Sequence, residues 1–364
     1  MVAQETKEPT QEESEAERAH PRGLAGLARL GDAARTGTWL AEHRTTVLWV
    51  VAGIVGVAVL ASLPINLGRA AIGGVSQGAV YALVALGLAL VYTSTRVLNF
   101  AQGEFGSMGA YAASALVVGV GFERGDVGLV SLFVAAFVAV GVGALIAVLT
   151  NLLVIRRLGS AFTALVATAA LFMLMQTAQF LAFGLQRPFP RIREGTAFAA
   201  FGTNVLWQEV VIVVVLAAVA ALLAMLFRTP LGVALLASAQ EPYAASLYGV
   251  SPKTMSSLAW GTAGALAGLG GLLAGGVFRN IEPGFMTTDY LVPAFTGALL
   301  GGITSMSGAV VGALLLGLVT TIAQQLVTSY QLDSAIPNAP VASSFVVLLI
   351  VLAVRPTGLF GKKG

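Results

Sequence analysis

Gly128–Val154 reads G-L-V-S-L-F-V-A-A-F-V-A-V-G-V-G-A-L-I-A-V-L-T-N-L-L-V, 27 residues without one charged side chain. About 20 consecutive apolar residues carry an α-helix across a hydrocarbon core of roughly 30 Å. The apolar positions do not alternate with polar ones, as they would over about ten residues in a membrane barrel strand. Similar segments fall at 46–64, 70–93, 97–119, 160–184, 207–227, 254–278, 290–303, 308–329 and 342–354. Segments 290–303 and 342–354 are short at about 1.5 Å of rise per residue, so they are expected to be tilted, extended at their ends or re-entrant. The reading is an all-α, polytopic helical membrane protein with about 10 transmembrane segments.

The composition agrees: 57% of the 364 residues are hydrophobic and 10% charged, a balance no water-soluble domain needs. Cysteine is absent, which excludes disulfides, thiolate nucleophiles and Cys-ligated metals. His20 and His43 both precede the first span, so no His-based metal or catalytic site is expected within the membrane. Residues 1–45 read as a cytoplasmic tail, acidic and disordered from Glu5 to Glu17, then carrying Arg22, Arg29, Arg35 and Arg44 along a surface-lying helix. Residues 46–361 form the transmembrane domain. The charge and apolar core of a signal peptide are not at the start, so the first span is expected to be retained. Ten crossings place both termini on one side. The loop positives Arg96, Arg156, Arg157, Arg228, Lys253 and Arg355 favour cytoplasmic termini. Three arginines in the opposite loop 185–206 weigh against that orientation.

One polar stretch, 229–253, interrupts the apolar series. Glu241-Pro242 reads as a helix start, with an acidic N-cap or first-turn residue and proline at the first helical position. Ala244, Ala245 and Ser246 continue it for about two turns, and Gly249 stops it. So short a helix does not persist alone in water and needs a surface to dock on. The pattern E-P-x-A-A-S-x-x-G resembles the cytoplasmic coupling helix of ABC-type import permeases. The resemblance implies that Glu241, Pro242, Ala244, Ala245, Ser246 and Gly249 contact an ATP-binding subunit.

Of the acidic residues, Glu104 alone lies well inside an apolar segment, with Asn99 and Gln102 beside it. A charge at that depth costs roughly 2.5–3.5 kcal/mol on insertion scales, so it must face protein or a water-filled path. Two roles stand. Near the inner end of its span, Glu104 pairs with Arg96 or bonds freed backbone N–H groups. Alternatively Asn99, Gln102 and Glu104 belong to the pathway or its gate.

Gly78–Tyr92 (G-A-V-Y-A-L-V-A-L-G-L-A-L-V-Y) followed by Asn99–Glu104 (N-F-A-Q-G-E) resembles the LivH/LivM-type permeases of branched-chain amino acid ABC importers, and most of all the LivH-type member. Ala294–Gly312, with its G-G-I-T-S-M-S-G core, and Arg355–Gly361 (R-P-T-G-L-F-G) resemble two further motifs of that family, in the family's order. Thr304 and Ser307 stand where the family often has Gly and Pro, and residues 1–66 have no clear counterpart. Gly301, Gly302 and Gly308 in the third motif read as packing residues. No G-x-x-x-x-G-K-[ST] occurs, so the glycine pairs are no phosphate loop.

The resemblance implies an ABC importer permease fold with no cofactor bound by this chain, ATP and Mg lying on partner subunits. The chain would be no enzyme itself. Its partners would be ATP-binding subunits, a second LivM-like permease or another copy of itself, an extracellular binding protein and the bilayer of the bacterial plasma (inner) membrane; nucleic acid is not among them. The implied cargo is a branched-chain amino acid, with urea or a short amide as the alternative. An ion-coupled secondary transporter using Glu104 is a further reading. A membrane-embedded serine hydrolase would need a His or Lys at membrane depth, and none is there.

Overall fold

The computed structural model describes residues 64–119, 129–189, 191, 193–355 and 357–360. The tail 1–45 and nearly all of the first expected span therefore lie outside the described residues. Helix α1 (Leu67–Thr95) starts where the Asn66 side chain accepts the Arg69 amide at 2.9 Å, satisfying one orphan donor of its first turn. Every residue from Gly78 to Val91 is buried. A helix apolar all round and buried all round is the axis of a bundle rather than its surface.

Close approach to that axis is made by small residues. A Cβ on Gly317, in α10 (Met306–Ser329), would collide with Gly78 of α1. In α8 (Pro252–Phe278), a Cβ on Gly264 would strike the Gly143 carbonyl of α3 (Leu129–Leu153). One on Gly271 would strike the Gly106 carbonyl of α2 (Gln102–Gly119). Lipid offers no hydrophobic drive between helices, so such backbone-to-backbone packing supplies the cohesion. The abundance of glycine is thus structural. By contrast α4 (Ala161–Phe183) and α5 (Trp207–Leu226) expose apolar side chains, among them Phe162, Met173, Leu181, Val214 and Leu222.

Between α4 and α5 the chain makes an antiparallel hairpin, β2 (Thr196–Ala200) with β3 (Thr203–Leu206), and β1 (Arg187–Pro188) pairs with β4 (Asn280–Ile281). Phe201 and Gly202 turn the hairpin with φ of 50° and 71°, the positive values a two-residue turn demands. This hairpin end of the bundle is opposite the end that carries 229–251. There α6 (Pro230–Gln240), a helix not expected from the sequence, precedes α7 (Pro242–Leu247). Thr229 caps α6 by accepting the Gly232 amide, and Pro230 fills its first turn.

Among the described residues six helices are long and apolar enough to cross a membrane: Leu67–Thr95, Val130–Arg157, Ala161–Phe183, Trp207–Leu226, Pro252–Phe278 and Met306–Ser329. Of the other four expected spans, 46–64 lies almost wholly outside the described residues, and three are interrupted or short. Expected span 97–119 is helical only from Gln102. Expected span 290–303 is a π-helical turn, Met286–Leu291, running into the ten-residue α9 (Val292–Gly301). The last, α11 (Ala339–Val354), has 16 residues.

Beyond α11, Gly358 takes φ 76° and the chain lies along the end of α9. Leu359 donates its amide to the Leu300 carbonyl at 2.7 Å and Phe360 donates to Gly301 at 3.0 Å. The R-P-T-G-L-F-G motif thereby closes carbonyls that a helix end leaves open.

Candidate functional site

The residues from Arg96 to Ala101 enter the bundle without forming helix. The Gln102 amide group at their end sits against Gly87, eight residues into α1 from Thr95, a depth of roughly 12 Å by helix rise. Irregular backbone at that depth persists only where its polar groups are answered from within the protein. They are. Asn99 Oδ1 accepts the Ala101 amide at 3.1 Å, and Thr168 Oγ1 of α4 accepts the Phe100 amide at 3.3 Å. Asn99 Nδ2 donates to Gln102 Oε1 at 3.1 Å, and Gln102 Nε2 donates to the Ala263 carbonyl of α8 at 2.9 Å.

Asn99 and Gln102 thus hold the entry loop and join it to α8, while Glu104 sits in a separate setting in the first turn of α2. Its carboxylate is fully buried, and Oε2 accepts a hydrogen bond from Gln179 Nε2 of α4 at 2.5 Å. Gln179 Oε1 in turn accepts the Gly284 amide at 3.1 Å, tying α2, α4 and the segment after β4 into one chain of bonds. Gln176, one turn earlier, donates to the Pro283 carbonyl at 3.3 Å, and Ser107 Oγ accepts the Met286 amide at 3.3 Å.

Two expectations about Glu104 are corrected. Its described partner is Gln179 rather than Arg96, which caps α1 at φ 56° and lies over the Tyr92 ring. Its depth is also different, because Gln179 lies four residues from the hairpin end of α4. The start of α2 is recessed by its entry loop, which places Glu104 well away from the inner end.

The opposite carboxylate oxygen, Oε1, is buried without a hydrogen-bond partner, and so is Thr287 Oγ1. Thr287 packs on Gly103, the residue before Glu104. Beside it opens a pocket of about 440 Å³, lined by apolar side chains of α1, α4, α9 and α11 together with Asn99 and Thr287. Gln176, Gln179 and Thr287 were not singled out from the sequence. The available signal was two amides three residues apart in an otherwise apolar span, which places them on one helix face.

At the other end, Glu241 occupies the N-cap position of α7 without a side-chain capping bond, and Pro242 fills the first turn. Gly249 takes φ 79°. Val250 donates its amide to Ala245 at 3.1 Å and Gly249 donates to Ser246 at 3.1 Å, the paired bonds of a Schellman cap. Ala245 is buried against α6, and Ala244 faces the same groove. Tyr243, Leu247 and Tyr248 are 78%, 71% and 89% exposed, an apolar face turned away from the bundle. At the third motif, a Cβ on Gly301 would collide with the Gly308 carbonyl, and Gly302 turns the chain at φ 102°. Among the described residues no cluster of three or more His, Asp or Glu side chains is placed to hold a metal.

The interrupted helices, the buried amide–carboxylate chain and the exposed two-turn helix lie within a stretch matched by one family profile. That profile, described as "Branched-chain amino acid transport system / permease component", matches residues 70–354. The chain belongs to this permease family. The permease is 29% identical over 299 residues to the high-affinity branched-chain amino acid transport system permease protein LivH of Escherichia coli (strain K12), covering 79% of this chain and 94% of that one. It is 28% identical over 297 residues to a probable branched-chain amino acid transport permease protein LivH of Methanocaldococcus jannaschii, covering 77% and 88%. It is 27% identical over 305 residues to the permease protein BraD of Pseudomonas aeruginosa, covering 80% and 94%. Among solved structures, a chain of PsaBC from Streptococcus pneumoniae in complex with Fab superimposes with TM-score 0.47 and 15% identity, over 78% of this chain and 91% of that chain. That likeness is too loose to carry an argument. The permease is a multi-pass membrane protein, as its apolar helices and its relatives agree.

Proposed function

We propose that this permease is the membrane-spanning subunit of an ATP-driven importer of branched-chain amino acids. It would pair with a second permease or another copy of itself. ATP would be hydrolysed on separate subunits docked at the 229–253 end, and cargo would arrive from a binding protein at the hairpin end. The single observation that carries this is α7. A six-residue helix cannot hold itself together in water, yet this one is capped at its C-terminus, braced on α6, and presents Tyr243, Leu247 and Tyr248 outward. Exposed apolar side chains clustered on a braced element mark a contact with another protein. Closure of the ATP-binding subunits would push α7 as a rigid body and switch the pathway between its two openings.

The test is Gly249→Val. A side chain there meets no neighbouring atom within 4 Å, so the damage is confined to the left-handed backbone, at about 1–2 kcal/mol. The variant is expected to insert normally but to lose copurifying ATPase subunits and ATP-dependent leucine uptake. Wild-type levels of both would remove α7 from the coupling role.

A further inference from the structure

The pocket beside the entry loop and the unanswered polar pair behind it meet at one residue. Thr287 forms part of the pocket wall and also packs on Gly103, the residue before Glu104. The walls are otherwise apolar, with Leu88, Phe172, Leu291 and Phe295 among them, and the volume of about 440 Å³ lies within the usual range for small-molecule sites. A lipid chain would match the walls but leave Glu104 Oε1 and Thr287 Oγ1 without partners. An inorganic cation would answer the carboxylate and waste the walls. A molecule with an aliphatic body and an ammonium head answers both, because three N–H donors can satisfy a carboxylate and a hydroxyl together. Interrupted helices buried in the bundle are also where transport proteins build such sites.

Taking the chain as an amino-acid permease, we propose that this pocket takes the aliphatic side chain of the cargo and that Glu104 and Thr287 receive its ammonium group. Gln179 is then a positioning residue. It holds Glu104 Oε2 and leaves Oε1 for the ligand.

Uptake of radiolabelled leucine and alanine by the complete transport system, with its ATPase and binding protein, tests this. Ala169 lies on the α4 wall, so Ala169→Leu fills the space. It is expected to lower leucine uptake about tenfold while alanine uptake changes less than about twofold, since even one methylene in an apolar pocket is worth about tenfold or more. Thr287→Val, which keeps the shape and removes the hydroxyl, is expected to raise KM for both amino acids about tenfold at wild-type amounts of permease in the membrane. Phe172→Ala enlarges the pocket and is expected to admit phenylalanine, so the proposal stays testable if Ala169→Leu fails to reach the membrane. Equal loss of leucine and alanine uptake in Ala169→Leu, or no gain of phenylalanine in Phe172→Ala, overturns the pocket assignment. An unchanged KM in Thr287→Val means that a trapped water alone bridges the pair, and overturns the ammonium assignment. Failure of the wild-type system to take up either amino acid overturns both this proposal and the importer reading.

Discussion

At the scale of single residues, Glu104 and Gln179 decide how a carboxylate survives inside an apolar bundle. The carboxyl group sits in the first turn of α2, where unpaired backbone N–H groups gather, and one amide answers one of its oxygens. Glu104→Ala leaves Gln179 Nε2 buried and unpartnered, so it is expected to be less stable than Glu104→Gln by about 1–3 kcal/mol. Thermal unfolding of the purified variants in detergent measures this. Adding Arg96→Gln is expected to leave both melting temperatures where they were; recovery of stability by that second change would restore the Arg96 pairing. The burial of Glu104 was legible from its place in an apolar segment. Its partner was not, because Gln179 lies 75 residues further along and nothing in either local pattern links them.

At the scale of elements, the segment after β4 is held in place by side chains from other helices. Gly284 takes φ 79°, and its amide is fixed by Gln179. The π-helical turn that follows is a geometry found mostly at functional positions. Gly284→Val is expected to cost about 1–2 kcal/mol from the left-handed backbone alone. A further cost comes from its Cβ, which would stand 2.5 Å from Gln176 Nε2. Gln176→Ala in the same chain should recover only the steric part, as read from the same unfolding curves; full recovery would mean that the backbone carries no strain. Six long apolar helices were legible within a few residues because period and length both pointed one way. Segments 290–303 and 342–354 were marked as short by their length alone, but the late start of the helix in 97–119 was not legible. The loop 97–101 is nearly as apolar as the helix beside it, and its hydrogen bonds to Asn99 and Thr168 reveal that the helix has not begun. Helix α6 was missed for the opposite reason, since the polar residues around it masked an ordinary capped helix.

At the scale of the whole molecule, Thr196 and Ser251 stand at opposite ends of α5 and α8 and are both exposed. The natural chain has no cysteine, so a single Cys at either position reports alone. Thr196→Cys is expected to react with an impermeant maleimide in intact cells, and Ser251→Cys only after permeabilisation; reaction from one side by both would remove a crossing between them. The strip at Leu359 and Phe360 carries a consequence for biosynthesis. Helix α9 leaves the ribosome some sixty residues before the two amides that cover its final carbonyls. Until those amides arrive, the last carbonyls of α9, at the turn into α10, stand without these partners in the nascent chain. A quality-control protease that samples this turn would therefore distinguish a finished permease from one whose synthesis stopped at α11.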